Sequence, residues 1–159
     1  MADPLIADPA RRPPSLLAIP GYVIDRLGQH GQRVLLAPVA AHGLALPQFA
    51  VLRALRDLGS LAQHELAGHL HIQASHLVRY LDEVQRRGLV ARERDPGDRR
   101  RQRVAITPAG EALLARLEPA VRAAEDELLA ALSPAERTVL SELLRRVLED
   151  NDRRAREPG

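Results

Sequence analysis

The stretch that decides the fold runs Leu89-Val90-Ala91-Arg92-Glu93-Arg94, Asp95-Pro96-Gly97-Asp98-Arg99-Arg100-Arg101, Gln102-Arg103-Val104-Ala105-Ile106-Thr107. Its two outer segments abandon helical spacing and read as short strands. The middle segment gathers Asp, Pro and Gly, the residues that reverse a chain at least cost. Six arginines (Arg92, Arg94, Arg99, Arg100, Arg101, Arg103) stand there against three acids (Glu93, Asp95, Asp98). Cations crowded at a hairpin tip repel one another, so the pattern favours a tip that an anionic partner receives.

Upstream of the hairpin, three helices follow in quick succession. Pro47 opens the first at its first-turn position, with Phe49, Val51, Leu52, Leu55 and Leu58 as the apolar stripe and Gly59-Ser60 as the stop. A short helix around Ala62–Leu70 comes next, then a tight link at His71-Ile72. A helix from about Ala74 to Arg87 follows, closed by Gly88. Downstream, Thr107-Pro108 caps and starts a long helix whose apolar face is Leu113, Leu114, Leu117, Val121, Leu128 and Leu132. Ser133-Pro134-Ala135-Glu136 is a capping box with proline at the first helical position. It launches a last helix striped by Val139, Leu140, Leu143, Leu144, Val147 and Leu148.

At the other end, residues 1–14 hold four prolines and no periodicity, the pattern of a flexible arm. From Ser15 to about Ala41, Leu16, Ile19, Val23, Leu27, Val34, Leu35 and Val39 recur at helical spacing; Pro20-Gly21 and Pro38 predict a bent or broken rod. The expected organisation is therefore an arm over 1–14, an N-terminal dimerisation helix region over 15–46 and a DNA-binding core over 47–107. C-terminal dimerisation helices occupy 108–150, and a polar tail that frays occupies 151–159. The fold class is mainly α with a small two- or three-stranded β wing.

Composition sets the outer limits. With 159 residues, 45% hydrophobic and 28% charged, the chain can build a core and lacks the signature of disorder. All 23 basic residues are arginine, and the net charge is only +2, so an argument for an anionic partner rests on where the arginines sit. Absence of cysteine excludes disulfides, thiolate metal sites and thiol redox sensing. The N-terminus lacks the apolar core of a signal peptide, and no apolar run approaches the ~20 residues that span a bilayer. These features predict a cytoplasmic protein that does not enter membranes and needs no cofactor.

The order helix, helix, tight link, helix, strand, basic turn, strand is that of a winged helix-turn-helix. In such a module one helix offers short polar side chains to base edges in the major groove, and the wing sets cations against the backbone or the minor groove. The reading helix would begin Gln73-Ala74-Ser75-His76-Leu77-Val78-Arg79-Tyr80. With Leu77, Tyr80 or Leu81, and Val84 turned inward, Gln73, Ser75, His76 and Arg79 face outward near its N-terminus. Arg86 and Arg87 lie toward the C-terminal end, suited to phosphate or to the helix dipole.

The wing, with Val104-Ala105-Ile106-Thr107-Pro108-Ala109-Gly110 after it, resembles that of the MarR family of winged helix-turn-helix regulators. The similarity extends upstream to Leu46-Pro47-Gln48-Phe49-Ala50-Val51-Leu52 and downstream to Leu132-Ser133-Pro134-Ala135-Glu136, covering roughly residues 20–148. The resemblance implies a homodimeric transcriptional regulator, expected to be a repressor, on a pseudo-palindromic site in double-stranded DNA. It implies that Arg100 enters the minor groove, oriented by Asp98 and flanked by Arg99 and Arg101. Ser75, His76 and Arg79 match its reading stretch. The family often takes small lipophilic, commonly phenolic effectors between the dimerisation helices and the core, where Arg33, His42, Phe49 and Arg53 are the candidates here. Three positions depart from the pattern: His71 stands for a glycine, Gln73 for an aspartate cap and Leu46 for a threonine.

Dimerisation also follows from the residues themselves. The segments on either side of the core are long and apolar, and a single small core leaves them without cover; pairing with a second copy would bury both. Three other readings compete with this one. His64-Glu65-Leu66-Ala67-Gly68-His69 nearly spells a zincin motif, but histidines at i and i+5 sit about 140° apart around a helix, so the pair cannot share one metal. A metal-responsive winged-helix regulator is suggested by His30, His42, His64, His69, His71 and His76, yet the long helix after the wing has neither His nor Cys to complete a site. A helical protein–protein adaptor is the alternative of another class. No residue combination suggests catalysis.

Overall fold

A computed structural model describes residues 12–94, 97 and 102–156, with the backbone alone at Arg156. Helices α1 (Pro14–Leu17) and α2 (Pro20–Ala40) are separated at Ala18–Ile19, because Pro20 is tolerated only in the first turn of a new helix. Pro38 falls in the last turn of α2. The expected break is thus at the first of the two proline sites.

The next helix, α3 (Leu46–Leu58), starts where the Gln48 side chain accepts from the Ala45 backbone N–H at 2.8 Å. Strand β1 (Leu61–Ala62), helix α4 (Gln63–Leu70) and helix α5 (Ala74–Arg86) follow, then strands β2 (Val90–Arg94) and β3 (Gln102–Ile106). The sheet is antiparallel in the order β1-β3-β2, with Leu61 opposite Val104 and Val90 opposite Ile106. The wing therefore has three strands. The two residues of β1 are too few to show alternation in the sequence; beside them Arg103 of β3 also donates to the Ser60 carbonyl.

Core residues come from every element of the central module: Val51, Leu52 and Leu55 of α3, Leu66 of α4, Leu77, Leu81 and Val84 of α5, and Val90 and Val104 of the sheet. Helix α6 (Pro108–Leu128) closes this core with Leu113, Leu114 and Leu117. Thr107 caps α6 by accepting from the Gly110 N–H at 3.2 Å, while its hydroxyl donates to the Gly88 carbonyl at 2.6 Å. Gly88, at φ +70°, ends α5 in the left-handed region where a Cβ is disfavoured. Gly110 is required for a different reason. A Cβ there would stand 2.3 Å from the Leu89 carbonyl oxygen and 2.7 Å from Ile106 Cγ1.

Helix α7 (Pro134–Arg156) starts at the capping box read in the sequence: the Ser133 N–H and hydroxyl donate to Glu136 at 2.8 and 2.7 Å. It runs on through residues 149–156, where the sequence suggested a fraying tail. Those two turns lack an apolar stripe but carry side-chain bonds one turn apart: Arg145 to Glu149 at 2.9 Å, Asn151 to the Val147 carbonyl at 2.8 Å, and Arg154 to Asp150. No described side chain of α7 is buried.

Candidate nucleic-acid interface

The link between α4 and α5 is a single tight turn. His71 adopts φ +50° and ψ +38°, and among the described residues it is the one non-glycine with positive φ. The Ile72 N–H reaches back to the Ala67 carbonyl at 3.1 Å, which closes α4 in the manner usually served by glycine. Gln73 then precedes α5 in extended conformation, and its side chain makes no capping bond. The first turn of α5 consequently keeps its N–H groups unengaged by a side-chain cap, at the end where the helix dipole is positive.

At about 100° per residue, burial of Leu77, Leu81 and Val84 turns Ser75, Arg79, Asp82 and Arg86 to the opposite side. Gln73, Ser75, His76, Arg79 and Arg86 are all exposed, with Gln73 just before the helix and His76 on the flank of its outward face. The Arg79 guanidinium lies 5.2 Å from the Tyr80 ring centroid. Tyr80 itself is only half-buried, leaving Leu81 as the inward residue.

The arginines around the wing divide by role. Arg92 of β2 donates to Asp82 of α5 at 2.7 Å and also to Gln85, tying the wing to the reading helix. Arg103 donates from Nε to the Ser60 carbonyl at 3.2 Å and lies 3.9 Å from Glu65. Arg87 donates to the carbonyls of Gly43 and His42 at 2.6 and 2.9 Å. Arg87 thereby anchors the end of α5 to the turn after α2 while remaining exposed there. The wing-tip candidates Asp98, Arg99, Arg100 and Arg101 lie outside the described residues.

Behind this surface, Gln48 of α3 is buried and donates to Glu83 of α5, which fixes the reading helix against its support. A second polar joint links α3 to α6, where Glu118 accepts from Arg56 at 2.8 Å and from Arg53 at 3.4 Å. The hydrogen bond from Arg56, then its charge, holds the Glu118 carboxyl below its ordinary range.

The four effector candidates are not gathered in one place. Phe49 and Arg53 line a cleft with Leu35, Glu118 and Val121, between α2, α3 and α6. Arg33 lines another, largely apolar cleft with Leu36, Pro47, Ala50 and Ile72. His42 lines neither; its Nδ1 lies 3.1 Å from the Pro38 carbonyl oxygen. In the single chain Arg33 and Phe49 thus line different clefts. Among the described residues, no group of three or more His, Asp or Glu is placed to hold a metal ion, and no helix is long and apolar enough to cross a membrane.

A helix-turn-helix followed by a β-hairpin, within a three-stranded antiparallel sheet, defines the class: a winged helix-turn-helix protein. Residues 44–101 match the MarR family. The transcriptional regulator HosA of Escherichia coli O111:H- is 40% identical over 76 residues, covering 48% of this chain and 56% of HosA. A MarR-family transcriptional regulator from Silicibacter pomeroyi is 30% identical, with a TM-score of 0.72 over 88% of this chain and 96% of that one. The transcriptional repressor CouR, solved bound to a 23-mer DNA duplex, is 32% identical, with a TM-score of 0.78 over 87% of this chain and 98% of CouR. The matched stretch spans little more than half the length of HosA. The chain belongs to the MarR family, a family of transcriptional regulators and not of enzymes.

Proposed function

We propose that this protein is a cytoplasmic, homodimeric transcriptional repressor that binds a pseudo-palindromic operator. Helix α5 would lie in the major groove with Gln73, Ser75, His76 and Arg79 toward the bases, and Arg86 and Arg87 toward phosphates. The turn carrying Asp98, Arg99, Arg100 and Arg101 would meet the minor groove. The observation that carries this reading is the exposed N-terminal half of α5, beside a wing that Arg92 fastens to the same helix. The duplex bound by CouR supports the choice of double-stranded DNA as partner.

Homodimerisation is supported by apolar surface that one copy leaves uncovered: Leu17, Ile19 and Ile24 near the N-terminus, and Val139, Leu143 and Leu148 on α7. A two-fold pair would set two reading helices about 34 Å apart, one turn of duplex. Release by a small lipophilic or phenolic effector is the further part of the proposal. Its support is the pair of clefts flanking α3, which lie between the long helices and the DNA-facing core.

The test is selection of bound duplexes from genomic DNA, followed by affinity measured against salt. Contact through several arginines requires log affinity to fall steeply with log salt. Arg100→Ala is expected to preserve the dimer while weakening duplex binding. A flat salt dependence would favour the helical adaptor instead, and equal affinity for every duplex would rule out a specific operator.

A further inference from the structure

The outward surface of α5 holds one side chain that neither the core nor charge attraction accounts for. Leu77, Leu81 and Val84 complete the buried stripe. Val78 follows Leu77 by one residue, which moves it about 100° around the helix to the flank of the outward face, where it is 39% exposed. Among the described residues it is the one exposed large apolar side chain of α5. A single exposed valine is ordinary on a protein surface. The placement of this one is not, because it lies within the N-terminal half that carries Ser75, His76 and Arg79. Its branched side chain is also a poorer choice than alanine for the helix itself.

The neighbours of Val78 sharpen what it could touch. Ser75 is three residues before it and Asp82 four residues after, each one turn away on the same flank. A carboxylate here would repel phosphates, but Arg92 donates to Asp82 at 2.7 Å and offsets its charge. The carboxylate on this flank is therefore offset, whereas Arg79 and Arg86 lie nearer the middle of the outward face. In the major groove the apolar group that distinguishes one base from another is the 5-methyl of a pyrimidine.

We propose that Val78 is a specificity-determining residue that packs on a pyrimidine 5-methyl group in the major groove, with Arg92 offsetting the Asp82 carboxylate on that flank. The proposal rests on the reading of α5 as the DNA-reading helix. The methyl can be supplied by thymine or by 5-methylcytosine, and Ser75 is placed to hydrogen-bond to the edge of the same or the adjacent base pair.

The experiment uses the full chain and duplexes selected from a random-sequence library. Each thymine of the selected half-site is replaced singly by deoxyuridine, which removes the methyl and leaves the pairing edge unchanged. One position per half-site is expected to lose about fourfold in affinity, the factor for one buried methyl. Val78→Ala, a surface change to a better helix former, is expected to reduce the preference for thymine over deoxyuridine. In a separate arm, cytosine and 5-methylcytosine at that position separate the two sources of the methyl; tighter binding of the methylated base supports packing on either. Indifference of the wild type to deoxyuridine at every position overturns the proposal, as does a Val78→Ala variant whose preference for thymine is undiminished. Failure to select any duplex overturns the DNA-binding reading as well, and is distinguished by the absence of salt-sensitive binding.

Discussion

Arg92 on β2 and Asp82 on α5 form an ion pair at 2.7 Å that joins the wing to the reading helix. Both side chains are partly exposed, so the pair contributes at most about 1 kcal/mol to stability. Its weight falls on binding. Arg92→Ala leaves Asp82 uncompensated toward a polyanion and frees the wing from Gln85. Duplex affinity is expected to fall about fivefold, in keeping with that ~1 kcal/mol, and Asp82→Ala in the same chain is expected to restore part of it. A double-mutant cycle by fluorescence anisotropy checks this; strictly additive losses would count against the coupling.

Gly110 predicts a loss of stability. Alanine there would press its Cβ to 2.3 Å from the Leu89 carbonyl oxygen, which is backbone and cannot rotate aside. The Gly110→Ala variant is expected to lose about 1–3 kcal/mol by overpacking, read as a lower thermal midpoint. The helix propensity of alanine works in the other direction, so an unchanged midpoint would show that the root of the wing can yield.

His71 holds a left-handed conformation at φ +50°. A β-branched residue tolerates that region poorly, and His71→Val is expected to cost about 1–2 kcal/mol. His71→Gly should stay close to the wild type, since relief of the backbone is offset by greater freedom of the unfolded chain. Thermal midpoints of the three chains, measured side by side, give the ranking.

Acid should loosen the joint between α3 and α6. Glu118 titrates below its ordinary value of 4.5 in the folded state, first because Arg56 donates a hydrogen bond to it. A depressed carboxyl contributes its stability above the unfolded value and loses it as pH falls through the folded value. Glu118→Gln should therefore lower the thermal midpoint modestly near neutrality, and the gap to the wild type should close below about pH 4.5. Melting curves from pH 7 down to about 3 span the ordinary carboxylate range and test the sign.

Leu144 and Leu148 on α7 are exposed in the single chain. Leu144→Asp is expected to leave the core module folded while shifting the sedimenting species from two copies to one. Duplex binding should then drop sharply, because one reading helix holds half a site. A variant that sediments as before would move the interface elsewhere.

The parts of this fold that announce themselves in sequence are those with local causes. Ser133 and Glu136 lie three residues apart and close their own capping box; Thr107 and Pro108 mark the start of α6 in the same way. The inward stripe of α5 follows from spacing alone. What escaped is what distance makes: Arg87 meets His42 and Gly43 across more than forty positions, and Arg92, Arg103 and Gln48 find partners on other elements. From composition each arginine of the wing looked alike, although two of them fasten the fold. The helical run to Arg156 was hidden because ion pairs, and not an apolar stripe, sustain it.

The grip of Arg87 on the two carbonyls beyond α2 has a mechanical consequence. A guanidinium held at two points links the turn after α2 to the far end of α5. A tilt of α2 that carries this turn with it is expected to strain the clasp, and Arg87→Ala is expected to uncouple the two.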